Sequence, residues 1–340
     1  MSSMQLGVDL AKSVFEVAVS HAPGQVQARR RLSRTALAPF VAAHPPAEIL
    51  MEACGSAHHW GRTFQQMGHT VTLLHPADVA RYRDGNKTDR ADAKALLEAA
   101  RNAALSRVPV KSVEQQAVVA LHRLRQGYLQ TRTARINAVR GHLREFGCVI
   151  PVGPGHVLPR AYAALAADTV PAFLRVALET VLAEIATLED QVEALRTALT
   201  HLAEQMPDAQ LLRSVPGIGV LTATALVAFV GDIHRFRCGR VFAAYLGLTP
   251  RERSSGQHRR LGAITKRGNS YLRMLLIHGA RSALRAGTVS THPDDLRTWA
   301  RALAVRKGHN VAAVALANKL ARIAWRVWRD QRPFARREAQ

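Results

Sequence analysis

Four carboxylates in the first third of the chain carry a chemical pattern. Asp9 closes an apolar run in GVDLAK, and Glu52 closes another in MEACG. Asp89 and Asp92 stand three residues apart in KTDRADAK, a spacing that puts both on one face of a helix. Carboxylates gathered in one place repel each other unless cations compensate them. Hard divalent ions take oxygen ligands of this kind, magnesium first and manganese as the alternative. Two such ions roughly 3.5–4 Å apart stabilise the attacking and leaving oxygens of phosphoryl transfer. Plainer readings exist for each acid: Asp89 as an N-cap, Asp92 as a first-turn acid facing the helix dipole, Asp9 as a turn residue, Glu52 as an ion-pair partner. They suit the helical pair better than Asp9 and Glu52, which interrupt apolar strands near their C-terminal ends. His58 and His59 follow Glu52 but are adjacent on a helix and diverge, so they read as surface or substrate-facing residues.

Positioning such acids takes strands whose ends lie side by side. Residues 4–9, 14–20 and 25–31 read as three strands, with a turn at Pro23–Gly24. In the second, Val14, Glu16 and Ala18 alternate against Phe15, Val17 and Val19. A helix follows at 35–43, a strand at 48–52, a helix at 58–67, a strand at 70–74, and helices at 77–83 and 89–102. This order predicts a mixed sheet with helices on both faces.

Pro109 closes that region. Residues 112–145 read as one long helix, and 148–159, with three prolines and two glycines, as a loop. From Leu174 to Leu202 apolar residues alternate spacings of four and three, a heptad seam. It suits either a coiled coil between copies of the chain or a hairpin with the preceding helix. Beyond Pro207 come short helices joined by glycine-rich turns. Helices at 293–305 and 309–328 close the chain, with Trp299, Trp325 and Trp328 as packing residues and a basic tail at 332–337. The expected pieces are 1–106 (α/β), 107–206 (helical or coiled-coil connector), 207–330 (mainly α) and 331–340 (tail).

Charge separates these pieces. The chain has 47 Lys and Arg against 25 Asp and Glu, a formal net charge of +22. Residues 206–340 hold 24 of those bases and only 7 of the acids, whereas the rest is nearly balanced. Arginine dominates there, and its planar fork pairs with phosphate oxygens. Such asymmetry points to nucleic acid. A generally basic proteome would explain arginine over lysine but not the asymmetry. Three cysteines, Cys54, Cys148 and Cys238, lie far apart and form no CxxC pair, so neither a disulfide framework nor a zinc site is expected. No signal peptide and no apolar run of membrane-spanning length is read, so a soluble, cytoplasmic, nucleoid-associated protein is expected.

Two segments of the basic half could touch nucleic acid. In LLRSVPGIGVLTATALVAFVG a helix ends near Ser214, a turn runs through Gly217 and Gly219, and a helix starts near Val220. This is the pattern of a helix-hairpin-helix, whose glycines let backbone N–H groups approach a phosphate. An ordinary glycine-turn helical hairpin fits the same letters. The second segment carries Arg251, Arg253, Arg259, Arg260, Lys266, Arg267 and Arg273 around Ser254, Ser255 and Gly256. A serine among arginines can attack phosphorus, because the alkoxide and the phosphorane charge are both stabilised. From chemistry alone, a Ser-Ser-Gly loop is more simply a loop.

GVDLAKSVFEVAV, MEACGSAHHW and GNKTDRADAKAL resemble the N-terminal blocks of the DEDD transposases of the insertion sequence 110 family, closest to its 1111 subgroup. LGLTPRERSSG and GAITKRGNSYLRMLLIHGA resemble the second domain of the same proteins. The resemblance covers 4–103 and about 210–327. It implies a RuvC-like, ribonuclease-H-fold domain whose four acids are Asp9, Glu52, Asp89 and Asp92, with Mg2+ or Mn2+ as cofactor and two ions per site. It implies a nucleophilic serine before a glycine, which selects Ser255 over Ser254. Lys12, Lys87, Gly217, Gly219 and the seven basic residues of 251–273 are the expected nucleic-acid contacts. The implied activity is DNA cleavage and strand transfer in transposition. The implied partners are the element's DNA ends, its target and a structured guide RNA from the element; the heptad and the need to hold several DNA strands point to a dimer or tetramer. A junction-resolving nuclease sharing the acids, or an inactive DNA-binding relic, is the alternative.

Overall fold

A computed structural model describes residues 4–22, 25–86, 88–167, 169–286 and 295–335. Two compact units divide the chain, Met1–Gln116 and Ala117–Gln340. The expected turn at Pro23–Gly24, the contact residue Lys87, the start of the closing helix at Pro293 and part of the basic tail lie outside the described residues.

The first unit is built on a six-stranded sheet. Its elements are β1 (Gln5–Asp9), β2 (Val14–Ser20), β3 (Ala28–Ser33), α1 (Arg34–Ala42), β4 (Glu48–Glu52), α2 (Ala57–Gln66), β5 (Thr70–Leu74), α3 (Pro76–Val79), α4 (Asp89–Ala100) and β6 (Arg107–Val108). The strand order is β3-β2-β1-β4-β5-β6. β1, β4 and β5 run parallel, and β2, β3 and β6 are antiparallel to their neighbours. The sheet is therefore mixed, as the element order predicted. β3 starts three residues later than expected, because Gln25 makes only an isolated bridge to Ala22 before Gln27 rejoins Val19.

Side-chain alternation sorts the strands onto two faces. Leu6, Val8, Phe15, Val17, Ile49, Met51 and Leu73 pack with Leu37 and Val41 of α1 and with Trp60 and Phe64 of α2. Ala18, Leu50 and Leu74 pack with Ala93, Leu96 and Leu97 of α4. Helices thus cover both faces, and the alternation that gives β2 its apolar face leaves Glu16 on the side of α4. Gly7 shows how closely α4 lies: a Cβ there would stand 2.6 Å from the carbonyl oxygen of Ala93. Only glycine admits that crossing.

Among its described residues the second unit is helical except for one hairpin. It takes in α5 (Val113–Glu145), α6 (Val157–Ala166), α7 (Ala172–Glu204), α8 (Pro207–Leu212), α9 (Val220–Val230), α10 (Gly239–Tyr245), β7 (Pro250–Glu252), β8 (Leu261–Ile264), α11 (Ser270–Ala286), α12 (Asp295–Lys307) and α13 (His309–Asp330). The heptad seam of α7 is answered within the chain. Leu178, Leu182 and Ile185 pack with Ile136, Val139 and Leu143 of α5 and with α6, and Leu199 packs with Val118 and Val119. Arg132–Glu189 and Arg135–Glu184 ion pairs tie the same two helices, at 3.6 and 2.7 Å. The pairing is antiparallel, a hairpin. Two expectations are corrected. The segment 148–159 is not all loop: α6 begins at Val157, with Pro159 in its first turn, where the missing N–H is no loss. The C-terminal helices before the closing pair are not all short: α11 has 17 residues, while α13 (His309–Asp330) agrees with the helix expected at 309–328.

Around α9, α11 and α13 lies one large core. Trp328 is buried in it, Trp325 donates its indole N–H to Phe236 O (3.0 Å), and the Lys319 ammonium stands 3.6 Å from the centre of the Trp299 ring. All three tryptophans pack, as expected. Among the described residues no helix is long and apolar enough to cross a membrane, and the three cysteines are free thiols.

Candidate active site

The acidic edge is assembled by strand register. Val8 pairs with Met51 across parallel strands, so Asp9 and Glu52 end β1 and β4 side by side. Asp9 also pairs with Glu16 across the antiparallel β1–β2 ladder. Partners in register share a face, so Glu16, Asp9 and Glu52 lie in a row on the side of α4. Asp92 comes to that face from α4, one residue before the Ala93 carbonyl that crosses Gly7. It is buried, and its carboxylate is ion-paired to Arg83 Nε. Asp89 is exposed at the start of α4. It is not the N-cap: Thr88 holds that place, its Oγ1 accepting from Ala91 N at 3.2 Å.

The Cys54 thiol senses the charge here. Burial pushes its pKa up, and the nearby Glu52 and Asp9 carboxylates push it further. The loop that carries it is tight: Cys54 N donates to Glu52 O at 2.8 Å, and Ser56 sits in the left-handed region at φ 67°. Non-glycine residues rarely hold that conformation, and such strain gathers at functional sites. Oxygen-only, negatively charged donors on one face fit a hard divalent cation. Among the described residues, however, no three His, Cys, Asp or Glu side chains stand where one ion could bridge them. The structure joins Asp9 with Glu52, keeps Asp92 under Arg83, and leaves Asp89 at the rim. Sequence reading missed Glu16 and Arg83 as part of this edge. Glu16 was visible as the lone charge in VFEVAV, whereas nothing in the local sequence pairs Arg83 with Asp92. His58 is half-buried, with Nδ1 accepting from Lys111 N (3.2 Å), and His59 is exposed against the edge of Trp60. Lys12 is exposed.

The serine segment is the tip of the β7–β8 hairpin. Ser255 and His258 exchange backbone hydrogen bonds of 3.3 and 3.1 Å around a two-residue turn, with Gly256 at φ +56° in its first central position. Only glycine takes that place readily. Arg253 N donates to Arg260 O (2.9 Å), which continues the ladder. Alternation then puts Ser255 and His258 on the same face as Arg253 and Arg260, and Ser254 on the other with Glu252 and Arg259. Bonds on that second face agree. Ser254 Oγ donates to Glu252 Oε1 (2.8 Å) and accepts from Arg260 N (3.2 Å), and Arg259 Nε bonds the same carboxylate oxygen at 3.1 Å. The bond from Ser254, then the charge of Arg259, holds the Glu252 carboxyl below its ordinary pKa. Arg251 joins Arg253 and Arg260 around a shallow hollow beside the hairpin.

Other expected contacts divide. Lys266 and Arg267 are exposed on a loop strapped by Lys266 N to Gly247 O (3.1 Å). Arg273 is half-buried and donates to Leu246 O and Arg267 O, at 3.1 and 3.3 Å, so it braces that loop instead of facing outward. Gly219 is exposed with open space at its Cα. Gly217 turns inward: a Cβ on it would lie 2.8 Å from Gly279 O, and one on Gly279 would lie 1.9 Å from Gly217 O. The absence of a side chain at Gly217 serves the packing of this turn on α11.

A mixed sheet with carboxylates at parallel strand ends, joined in one chain to a basic helical unit, is the arrangement of an enzyme that works on nucleic acid. Residues 6–147 match a family model described as a transposase, the DEDD domain of the insertion sequence 110 group, and residues 209–293 match the transposase model of the IS116/IS110/IS902 family. A probable family 20 transposase of Pseudomonas aeruginosa is 43% identical, covering 96% of this chain and 96% of its own. The transposase for insertion sequence element IS1111A of Coxiella burnetii is 41% identical over 97% of this chain and 90% of its own. The transposase for IS1328 of Yersinia enterocolitica is 36% identical over 94% and 95%. The chain belongs to the IS110/IS116/IS902 family of insertion-sequence transposases. Membership implies DNA binding and, in general, dependence on a divalent metal.

Proposed function

We propose that this transposase cuts and rejoins DNA through Ser255, with Asp9, Glu52, Asp89 and Asp92 as ligands for two divalent ions, magnesium first. One observation carries the serine: Ser255 shares a hairpin face with Arg253 and Arg260, whereas Ser254 is engaged with Glu252 on the other. Arginines beside the nucleophile stabilise both its alkoxide and the charge that develops on the phosphoryl oxygens. The serine Oγ forms a bond to phosphorus while the bond from phosphorus to one sugar oxygen breaks. The serine proton leaves to solvent, and the departing sugar oxygen takes one up. A hydroxyl of the second strand then attacks the same phosphorus, joins the strands and releases the serine. The metals, when bound, would supply positive charge to phosphate oxygens at the acidic edge.

In this reading 1–106 is the ribonuclease-H-like metal domain, 107–206 the helical spacer, and 207–330 the serine-bearing domain with the α8–α9 hairpin. A structured RNA from the element selects the DNA, and a dimer or tetramer holds the several strands. The RNA follows from the family resemblance; the oligomer rests on the need to hold several strands, since the heptad of α7 packs on α5 within the chain. The arginine excess of residues 206–340 is in keeping with RNA or DNA.

Covalent trapping tests the reading. The protein is incubated with magnesium, the element's DNA ends and its flanking non-coding RNA, then denatured and inspected for protein linked to DNA. The expected result is a linked species that disappears in Ser255→Ala. Plain nicks without linkage, still dependent on Asp9 and Glu52, would replace it with hydrolysis by metals alone.

A further inference from the structure

A cavity of about 1090 Å3 in the second unit is remote in sequence from the serine hairpin and lies among α10, the second half of α13 and the segment that follows it. Its rim carries Arg240, Lys319, Arg322, Arg326 and Arg332 against one carboxylate, Asp330. That carboxylate is already paired with Arg326 at 3.2 Å. Its lining also includes Ile323, Trp325 and Phe334. Cations around an apolar, partly aromatic floor make an amphipathic groove of defined chemistry. Phosphates suit the rim. The floor needs a ligand with flat, apolar faces to present, and unpaired bases have them. A duplex keeps its bases stacked inside and would leave the floor uncovered.

We propose that this groove binds an unpaired nucleotide strand, its phosphates held by Arg322 and Arg326 and its bases lying over Trp325 and Phe334. The site is separate from the serine chemistry and stands whether or not Ser255 is the nucleophile. RNA and displaced single-stranded DNA share the recognised chemistry. Cys238 is a built-in reporter. It lines the groove, and backbone N–H groups of Val241 and Arg240, aided by the charges of Arg237 and Arg240, lower its thiol pKa. Thiolate is the form that alkylating agents attack.

The test uses the full chain and three fluorescein-labelled probes: a short oligouridylate, the matching oligothymidylate and a blunt DNA duplex. Arg322→Gln with Arg326→Gln lies on the exposed side of α13, and its melting profile should match that of the unaltered protein. Single-strand binding should weaken about tenfold, and its log–log salt slope should fall by about 1.4, at about 0.7 per phosphate. Duplex binding should be unchanged. Alkylation of Cys238 by iodoacetamide should slow several-fold with either single strand but not with duplex, while Cys54 and Cys148 react as before. A stronger effect of the uridylate assigns the groove to RNA; equal effects assign it to single strands of either sugar. Unchanged single-strand binding, equal losses on duplex, or competition by oligoglutamate as effective as the oligonucleotide would each overturn the proposal.

Discussion

Two neighbouring serines at a hairpin tip are chemically alike and structurally opposed. Ser254 is held by three groups: the Glu252 carboxylate, the Arg260 N–H, and Arg259 through the shared carboxylate. Ser255 stands on the arginine face. Ser255→Ala should therefore abolish covalent capture of DNA. Ser254→Ala removes two hydrogen bonds of an exposed hairpin, each contributing about 0.5–1.5 kcal/mol, and should lower the yield of linked product without eliminating it. Gel quantification of the linked species separates the two, and loss in Ser254→Ala with retention in Ser255→Ala would reverse the assignment. The acids behave differently. Asp9→Asn keeps the shape but removes a charge from the row of Glu16, Asp9 and Glu52, and Asp92→Asn removes the charge that Arg83 meets. Each should end strand exchange while leaving DNA binding intact, measured by gel shift beside a strand-transfer assay. Full activity in either would remove the carboxylates from the mechanism.

At the scale of elements, legibility follows how locally each one is determined. β4 and β5 have the bounds that the sequence implies, since apolar runs between turn residues fix them. β6 has two residues, too few for any period to appear. The β7–β8 hairpin is exposed throughout its strands apart from half-buried Ile264, so no apolar alternation marks it, and its serines read as loop. The heptad of α7 was plain, but its partner was not, because α5 buries only six residues along its 33. In the site, Asp9, Glu52 and the α4 acids were readable from strand ends and helical spacing. The Arg83–Asp92 pair depends on tertiary folding and left no mark. Gly217 was readable as a turn residue, but its close approach to Gly279 of α11 was not, because that contact is tertiary. Gly279→Ala should force the backbones of the α8–α9 turn and α11 apart and cost about 1–3 kcal/mol. Gly141→Ala is its control, since open space surrounds that Cα within α5 and the helix should gain about 0.5–1 kcal/mol. Thermal melts should move in opposite directions, and a neutral Gly279→Ala would mean the contact yields freely.

His122 joins three helices of the second unit. It is buried, with Nδ1 2.9 Å from Tyr271 OH and Nε2 3.0 Å from Thr224 Oγ1. Burial, then the charge of Arg125, lowers its pKa to about 4. The unfolded chain takes up this proton near pH 6.5, the folded chain only near 4. The stability tied to a neutral His122 is therefore complete above about pH 6.5 and is lost as pH falls towards 4, to an extent of about 3 kcal/mol. Denaturant midpoints should decline between pH 7 and 5, and His122→Gln should flatten that decline. An unchanged slope in the variant would mean that other groups set it.

Over the whole molecule, charge and chemistry are divided between the units. The first is nearly balanced and carries the acids, whereas residues 206–340 hold 24 basic and 7 acidic side chains. A polyanion bound mainly by the second region would displace counterions in proportion to the phosphates neutralised, with a log–log slope of about −0.9 per phosphate on duplex DNA. A footprint of about 6–10 phosphates would lose about 10³–10⁵ in affinity between 50 and 200 mM salt. The hairpin should supply an identifiable share of it. Arg253→Ala with Arg260→Ala should make the slope shallower by about 1.8 if both face phosphate. Arg273→Ala should leave the slope nearly unchanged and instead lower the melting temperature, because its guanidinium braces the loop through Leu246 O and Arg267 O. Fluorescence anisotropy across a salt series reads both variants beside the unaltered protein. A flat response in the unaltered protein would refute an electrostatic footprint, and a slope change in Arg273→Ala as large as in the hairpin variant would return Arg273 to the DNA-facing surface.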